Sequence, residues 1–257
     1  MDGSCTRRTW LAASGGAALL AGCASLPTPP EPTVDASPWA AQSAAFIGAG
    51  APRPWHHQLF PGKAPTQFRY AHEDGRHAVS VTASSSASML RRRVRIEPAE
   101  LGSVVFSWKV PALIVDADLA SRENDDSPVR VMLVFEGDRS RFSPRDAMMS
   151  ELMRALTGEE MPYATLMYSW CSRREAGTVV TNARTGRVRT LVVESGPQKL
   201  NRWLDYRRNV RADFESAFGE PPGALVGIGI MSDSDNTRSL ARAWYGPLRI
   251  VPASAAP

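Results

Sequence analysis

Apolar and polar residues alternate with a period of two along most of this chain, which predicts strands rather than helices. Val129 to Phe135 is apolar on both faces, as a central strand requires, and only Arg130 interrupts it. Val104 to Val110 sets Phe106, Trp108 and Val110 against Ser107 and Lys109. Further period-two runs cover 55–60, 68–72, 78–83, 89–96, 166–171, 188–194, 224–231 and 243–251. Clusters of Gly, Pro, Asp and Asn separate the runs, so about ten strands are expected.

Two segments follow helical spacing instead. Ser143 and Pro144 form a cap and first turn, after which Met148, Met149, Leu152 and Leu156 recur on one face. From Lys199 to Phe218, the residues Trp203, Tyr206, Val210, Phe214 and Phe218 share a stripe that Gly219 and Pro221 terminate. Many strands with two peripheral helices predict an antiparallel β-sandwich of jelly-roll, galactose-binding-like type rather than a parallel α/β sheet. Trp108, Val131, Leu133, Trp170, Trp203 and Ile228 are expected in its core.

The start of the chain is different. Thr6-Arg7-Arg8-Thr9-Trp10-Leu11 opens a short apolar run, rich in Ala and Gly, that closes at Leu20-Ala21-Gly22-Cys23. The run is too short for a membrane span, which needs about 20 apolar residues. It reads as a twin-arginine lipoprotein signal over 1–22, with Cys23 as the lipidated first residue after cleavage. Ala24 matches lipoproteins sent to the outer membrane, so the periplasmic face of the envelope is the expected location and the membrane the expected partner. Residues 23–54 are expected to be the lipidated Cys and a Pro/Ala-rich tether. Residues 55–251 form the sandwich domain and 252–257 a disordered tail. With Cys5 removed and Cys23 acylated, Cys171 has no partner and reads as a buried small hydrophobe. The formal net charge of +4 falls to +3 once Asp2, Arg7 and Arg8 leave with the signal. That modest charge, outside the cytoplasm, argues against nucleic acid as a partner.

Several ordered motifs extend from Trp55 to Val251. They include Phe60-Pro61-Gly62-Lys63-Ala64-Pro65-Thr66, Asn124-Asp125-Asp126-Ser127-Pro128-Val129-Arg130-Val131 and Arg208-Asn209-Val210-Arg211-Ala212-Asp213-Phe214. Ile230-Met231-Ser232-Asp233-Ser234-Asp235-Asn236-Thr237 and Ala243-Trp244-Tyr245-Gly246 follow. Their order resembles a bacterial envelope family known as domain of unknown function 3047. The resemblance implies an envelope domain and brings no activity with it. The closing Asp-x-Asp-Asn-Thr and Ala-Trp-Tyr-Gly also look like the end of galactose-binding-type jelly rolls.

The candidate chemistry is acidic. Asp116, Asp118, Glu123, Asp125 and Asp126 crowd the loop before the Val129 strand, and Asp233 and Asp235 the loop after the Ile228 strand. Should the loops meet, these carboxylates could bind Ca²⁺, above all at Asp233 and Asp235, or supply an acid/base pair for glycan cleavage. Turn formation is the simpler role for either loop alone. Arg91, Arg93 and Arg95 share one face of a strand, as a solvated row or as cations for an anionic ligand. Trp244 and Tyr245 follow the second acidic loop, where an aromatic face could pack on a sugar ring. No nucleophile elbow, phosphate loop, dinucleotide fingerprint or cofactor motif is present, and four scattered histidines argue against zinc. The leading expectation is a non-catalytic envelope lipoprotein that binds a glycan or another polar ligand. A polysaccharide hydrolase or lyase using Asp125, Asp126, Asp233 and Asp235, with Arg130 as charge stabiliser, is the second. A scaffold docking another envelope protein, of unknown identity, is the third. A guanidinium at Arg130 needs a carboxylate, so Asp125, Asp126, Arg130, Asp233 and Asp235 are expected to converge.

Overall fold

The computed structural model describes residues 1–2, 33–43 and 53–253. Residues 3–22 of the expected signal, Cys23, the remaining tether residues and 254–257 lie outside the described residues. Helix α1 (Pro38–Ser43) precedes β1 (His56–Leu59), β2 (Gln67–Glu73), β3 (Arg76–Ser84), β4 (Ala87–Ile96), β5 (Ser103–Lys109) and β6 (Ser127–Phe135). Helix α2 (Pro144–Thr157) leads into β7 (Ala164–Cys171), β8 (Val179–Thr181), β9 (Val188–Ser195) and β10 (Trp203–Asn209). Helix α3 (Val210–Phe218) is followed by β11 (Leu225–Asp233), β12 (Leu240–Tyr245) and β13 (Arg249–Val251).

The strands form a β-sandwich. One sheet has the order β1-β4-β11-β6-β7-β9-β8, and the other has β10-β5-β12-β3-β2 with β13 also paired to β5. Strand β6 lies at the centre of the first sheet, with β11 and β7 paired to its two edges, and eight of its nine residues are buried. All pairs are antiparallel except β7 with β9, whose connection carries the short β8 back along the sheet edge. Between the sheets, Phe106, Trp108, Val131, Leu133, Trp170 and Ile228 are buried. Cys171 is a free, buried thiol.

Three expectations are corrected. The stripe from Lys199 to Phe218 is not one helix: β10 pairs with β5 from Trp203 to Asn209, and α3 begins only at Val210. Leu204, Tyr206 and Arg208 alternate inward, so the aromatic spacing that mimicked a helix arises from a strand running into one. Trp203 is consequently half-buried at the sheet margin, covered by the Arg76 guanidinium 5.2 Å from its ring. Second, α2 does not seat on its apolar stripe. Met148, Leu152 and Leu156 are 67%, 50% and 59% exposed, while Asp146 and Ser150 are buried. Third, the expected tether contributes to the domain, because Trp39 of α1 is fully buried against Trp55 with ring centroids 4.9 Å apart. At the other end, the Ala253 N–H donates to Glu100 O at 3.1 Å, so the expected tail starts as ordered chain.

Candidate functional site

Strand alternation decides what the outer face of the seven-stranded sheet presents. On β6, Val129, Val131 and Leu133 turn to the core, which sends Arg130, Met132 and Val134 outward. Across the register, Met231 of β11 faces Met89 of β4 on one side and Arg130 on the other. One step along, Gly229 lies between Arg91 and Met132, and Met132 faces Met167 of β7. A further step brings Gly227 between Arg93 and Val134. The floor is thus four methionines around two positions that lack side chains.

Walls turn this face into a trough of about 750 Å³. Helix α2 supplies Met149, Met153 and Thr157, and the segment after it supplies Glu159 and Met161. Gln58, Phe60 and Lys63 border the opposite side. Seven of the chain's nine methionines line this space, and Phe60 is its only aromatic residue among the described residues. The Arg91 and Arg93 row lies along it, and Glu159 accepts from Arg91 Nη1 and Nη2 at 2.7 and 2.8 Å and from Arg93 Nη2 at 2.8 Å. Arg95 turns to Glu97 and Glu136 instead.

At the other end of the strands the two acidic loops meet. Arg130, only 4% exposed, donates from Nε to Asp233 Oδ1 at 2.9 Å and from Nη2 to Asp125 Oδ1 at 2.8 Å. Asp233 also accepts from the Ser127 N–H at 3.1 Å, and Asp125 from Asn182 Nδ2 at 2.8 Å. Asp126 ties loop to loop: its oxygens accept from Asn236 N and Nδ2 and from Thr237 N and Oγ1, the last two at 2.7 and 2.6 Å. Asp235 is bridged by Lys63. Burial, reinforced by Asp125 and Asp126, pushes the Asp233 carboxyl up to about 7 against the pull of Arg130. Burial alone would lower the Arg130 pKa, but Asp233 and Asp125 outweigh it and drive it upward.

Asp125, Asp126, Arg130, Asp233 and Asp235 therefore come together, and Trp244 does not join them. Ala241, Ala243 and Tyr245 of β12 point inward, so alternation turns Trp244 to the outer face of the second sheet, where Lys109 Nζ sits 5.2 Å from its ring. Tyr245 is buried beneath the cluster rather than offered to a ligand. Its hydroxyl accepts from the Arg130 backbone N–H at 3.0 Å and donates to Met231 O. Carboxylate oxygens of Asp126, Asp233 and Asp235 lie within 4.8 Å of one another, the spacing a cation needs. Each already has a donor or cation, and a Ca²⁺ ion would have to displace Lys63 from Asp235. Lys63, Asn182, Asn236 and the methionines are site residues that the charge pattern did not single out. For Met89, Met132, Met167 and Met231 the signal was a methionine in mid-strand on the face opposite the core.

A family model described as "Protein of unknown function (DUF3047)" matches residues 53–249. Two solved structures are similar at 8% identity: one reported as "CBM4 structure and function", and the xyloglucanase domain of NopAA, a type three effector from Sinorhizobium fredii, in complex with cellobiose. The first has a TM-score of 0.36 and covers 77% of this chain and 86% of its own; the second has 0.39, 77% and 93%. No curated protein matches. The chain belongs to the DUF3047 family.

Proposed function

We propose that this DUF3047-family chain is an envelope lipoprotein, exported by the twin-arginine route, whose sandwich binds a ligand in the trough of the seven-stranded sheet. Arg7-Arg8 and Leu20-Ala21-Gly22-Cys23 support the export and anchoring half of the proposal. Acylated Cys23 would hold the chain at the periplasmic face of the outer membrane, and several acyl chains make such attachment effectively permanent. Tritiated palmitate should label the chain, and Cys23→Ser should abolish the label; a variant that stays labelled contradicts the anchor.

The binding half rests on the trough itself. Its volume falls in the range of about 300–1,000 Å³ typical of small-ligand sites, and its methionine floor is bordered by the Arg130 cluster at one end and by Arg91, Arg93 and Glu159 along the strands. Polar ligand groups, a glycan's hydroxyls among them, would meet Asp125, Arg130 and Asp233. Binding is favoured over hydrolysis because both Asp233 oxygens are engaged by Arg130 and Asp125 is divided between Arg130 and Asn182. Both carboxyl groups are held by partners inside the cluster. Calorimetric titration with soluble envelope glycans and amphiphiles should find a binder that Met231→Trp, filling the trough floor, no longer takes. Equal binding by the variant would place the ligand elsewhere.

A further inference from the structure

We infer that the trough takes the alkyl chain of a single-chain amphiphile whose neutral, hydroxyl-bearing head sits at the Arg130 end; this rests on the trough being the ligand site. The lining chemistry comes first. Sugar rings pack on flat aromatic faces, and this lining offers one ring among seven methionines. Thioether side chains are flexible and polarisable, and they mould to irregular apolar shapes rather than to planes. Five of the seven, Met89, Met149, Met153, Met167 and Met231, are only half-buried, which leaves a continuous apolar surface for an occupant to cover.

The shape agrees. Neither Gly227 nor Gly229 has a positive φ; a Cβ at Gly229 would crowd Leu90 O at 3.1 Å and one at Gly227 would crowd Val134 at 3.3 Å, so both positions stay bare and the neighbouring Met132 and Val134 side chains form the floor there. From Gly227 to Asp233 the strand runs about 20 Å, long enough for an extended chain. Helix α2 is apolar on both sides of this wall: Met149 and Met153 face the trough, while Met148, Leu152 and Leu156 face outward. Such a helix can rest among acyl chains on one side and line a chain on the other.

The head follows from the charge at the Arg130 end. Arg130 Nε and Nη2 are saturated by Asp233 and Asp125, whereas the one acceptor for Nη1 among the described residues is the weakly accepting Met167 Sδ at 3.9 Å. A buried guanidinium N–H therefore points toward the methionine floor without an oxygen partner. An acceptor oxygen from the ligand would satisfy it. At this end Arg130 is already paired with Asp125 and Asp233 and Lys63 with Asp235, so both cations are neutralised within the cluster and a hydroxyl or ether oxygen fits better than a carboxylate or phosphate.

Calorimetry on the full chain carrying Cys23→Ser, with alkyl glucosides from hexyl to decyl below their micelle concentrations, tests this. Affinity should rise about fourfold for each added methylene, as burial of a CH₂ requires. Free glucose and maltose should not bind at the same concentrations, and decanoate should bind at least tenfold more weakly than decyl glucoside. Met153→Glu should weaken decyl glucoside at least tenfold, while Met148→Glu, on the outer side of the same helix, should leave it unchanged, with both variants melting as the parent does. If oligosaccharides bind and affinity ignores alkyl length, the chain assignment falls while the trough remains a ligand site. Decanoate binding as tightly as decyl glucoside overturns the neutral head. If neither glycans nor alkyl glucosides bind, both the inference and the proposed function are contradicted.

Discussion

Arg130 shows how much one residue can reveal and where it stops. A lone charge in a strand apolar on both faces had to find a carboxylate, and the two acidic loops on either side in sequence were the nearest supply. The structure delivers that pairing with Asp125 and Asp233. Removing the guanidinium would leave buried carboxylates facing one another, so Arg130→Ala should destabilise the fold by about 3–5 kcal/mol in denaturant titrations. An unchanged midpoint would show that the cluster contributes nothing to folding. Asp233 makes a second prediction. Its pKa is raised by burial above the unfolded value, so its contribution to stability is fully present in acid and is lost as pH rises toward about 7. A carboxyl ¹³C resonance for Asp233 should titrate near 7; a midpoint near 4 would mean that Arg130 prevails. Trp244 was not legible in the same way. Its position beside an acidic loop in sequence says nothing of its face, which depends on the phase of β12 against the core.

Elements were legible where their signals were local. Nine of the ten period-two runs each became one strand, the tenth (243–251) divided into β12 and β13 at Gly246, and Ser143 caps α2 as its sequence implies, accepting from the Asp146 N–H at 3.1 Å. The strands missed were those without a clean alternation: three-residue β8, and β10 with its large aromatics at spacings that also suit a helix. What seats α2 was hidden as well, because it is polar and long-range. Burial alone would raise the Asp146 carboxyl, but hydrogen bonds from Thr185 Oγ1, Ser143 Oγ and the Gly186 N–H hold it below its ordinary value. Its stabilising contribution is therefore present above the unfolded pKa of about 4 and is lost as pH falls through the lower folded value. Amide exchange in α2 should accelerate in acid more than exchange in β6, after correction for the intrinsic pH dependence. Ser143→Ala should cost about 1 kcal/mol of stability. A helix equally protected at all pH values would show that Asp146 is not its fastening.

At the scale of the whole molecule, the sandwich was foreseeable from periodicity, but the trough was not. A jelly roll leaves one sheet face to the choice of sequence, and here it carries methionines and glycines where most sheets carry solvated polar residues. Each of these residues reads as ordinary core when the strands are considered one at a time. Only the register of β4, β11, β6 and β7 shows that Met89, Met231, Met132 and Met167 share one surface, with the Arg130 cluster at its end. The methionines also supply the most direct test that this surface is the ligand site. In a chain labelled with ¹³C at the methionine methyl groups, saturation with the tightest glycan or alkyl glucoside binder should shift Met89, Met132, Met149, Met153, Met161, Met167 and Met231 together. Met148, outside the trough on the same helix, should stay in place. A ligand that binds while leaving those seven resonances unmoved would contradict the account.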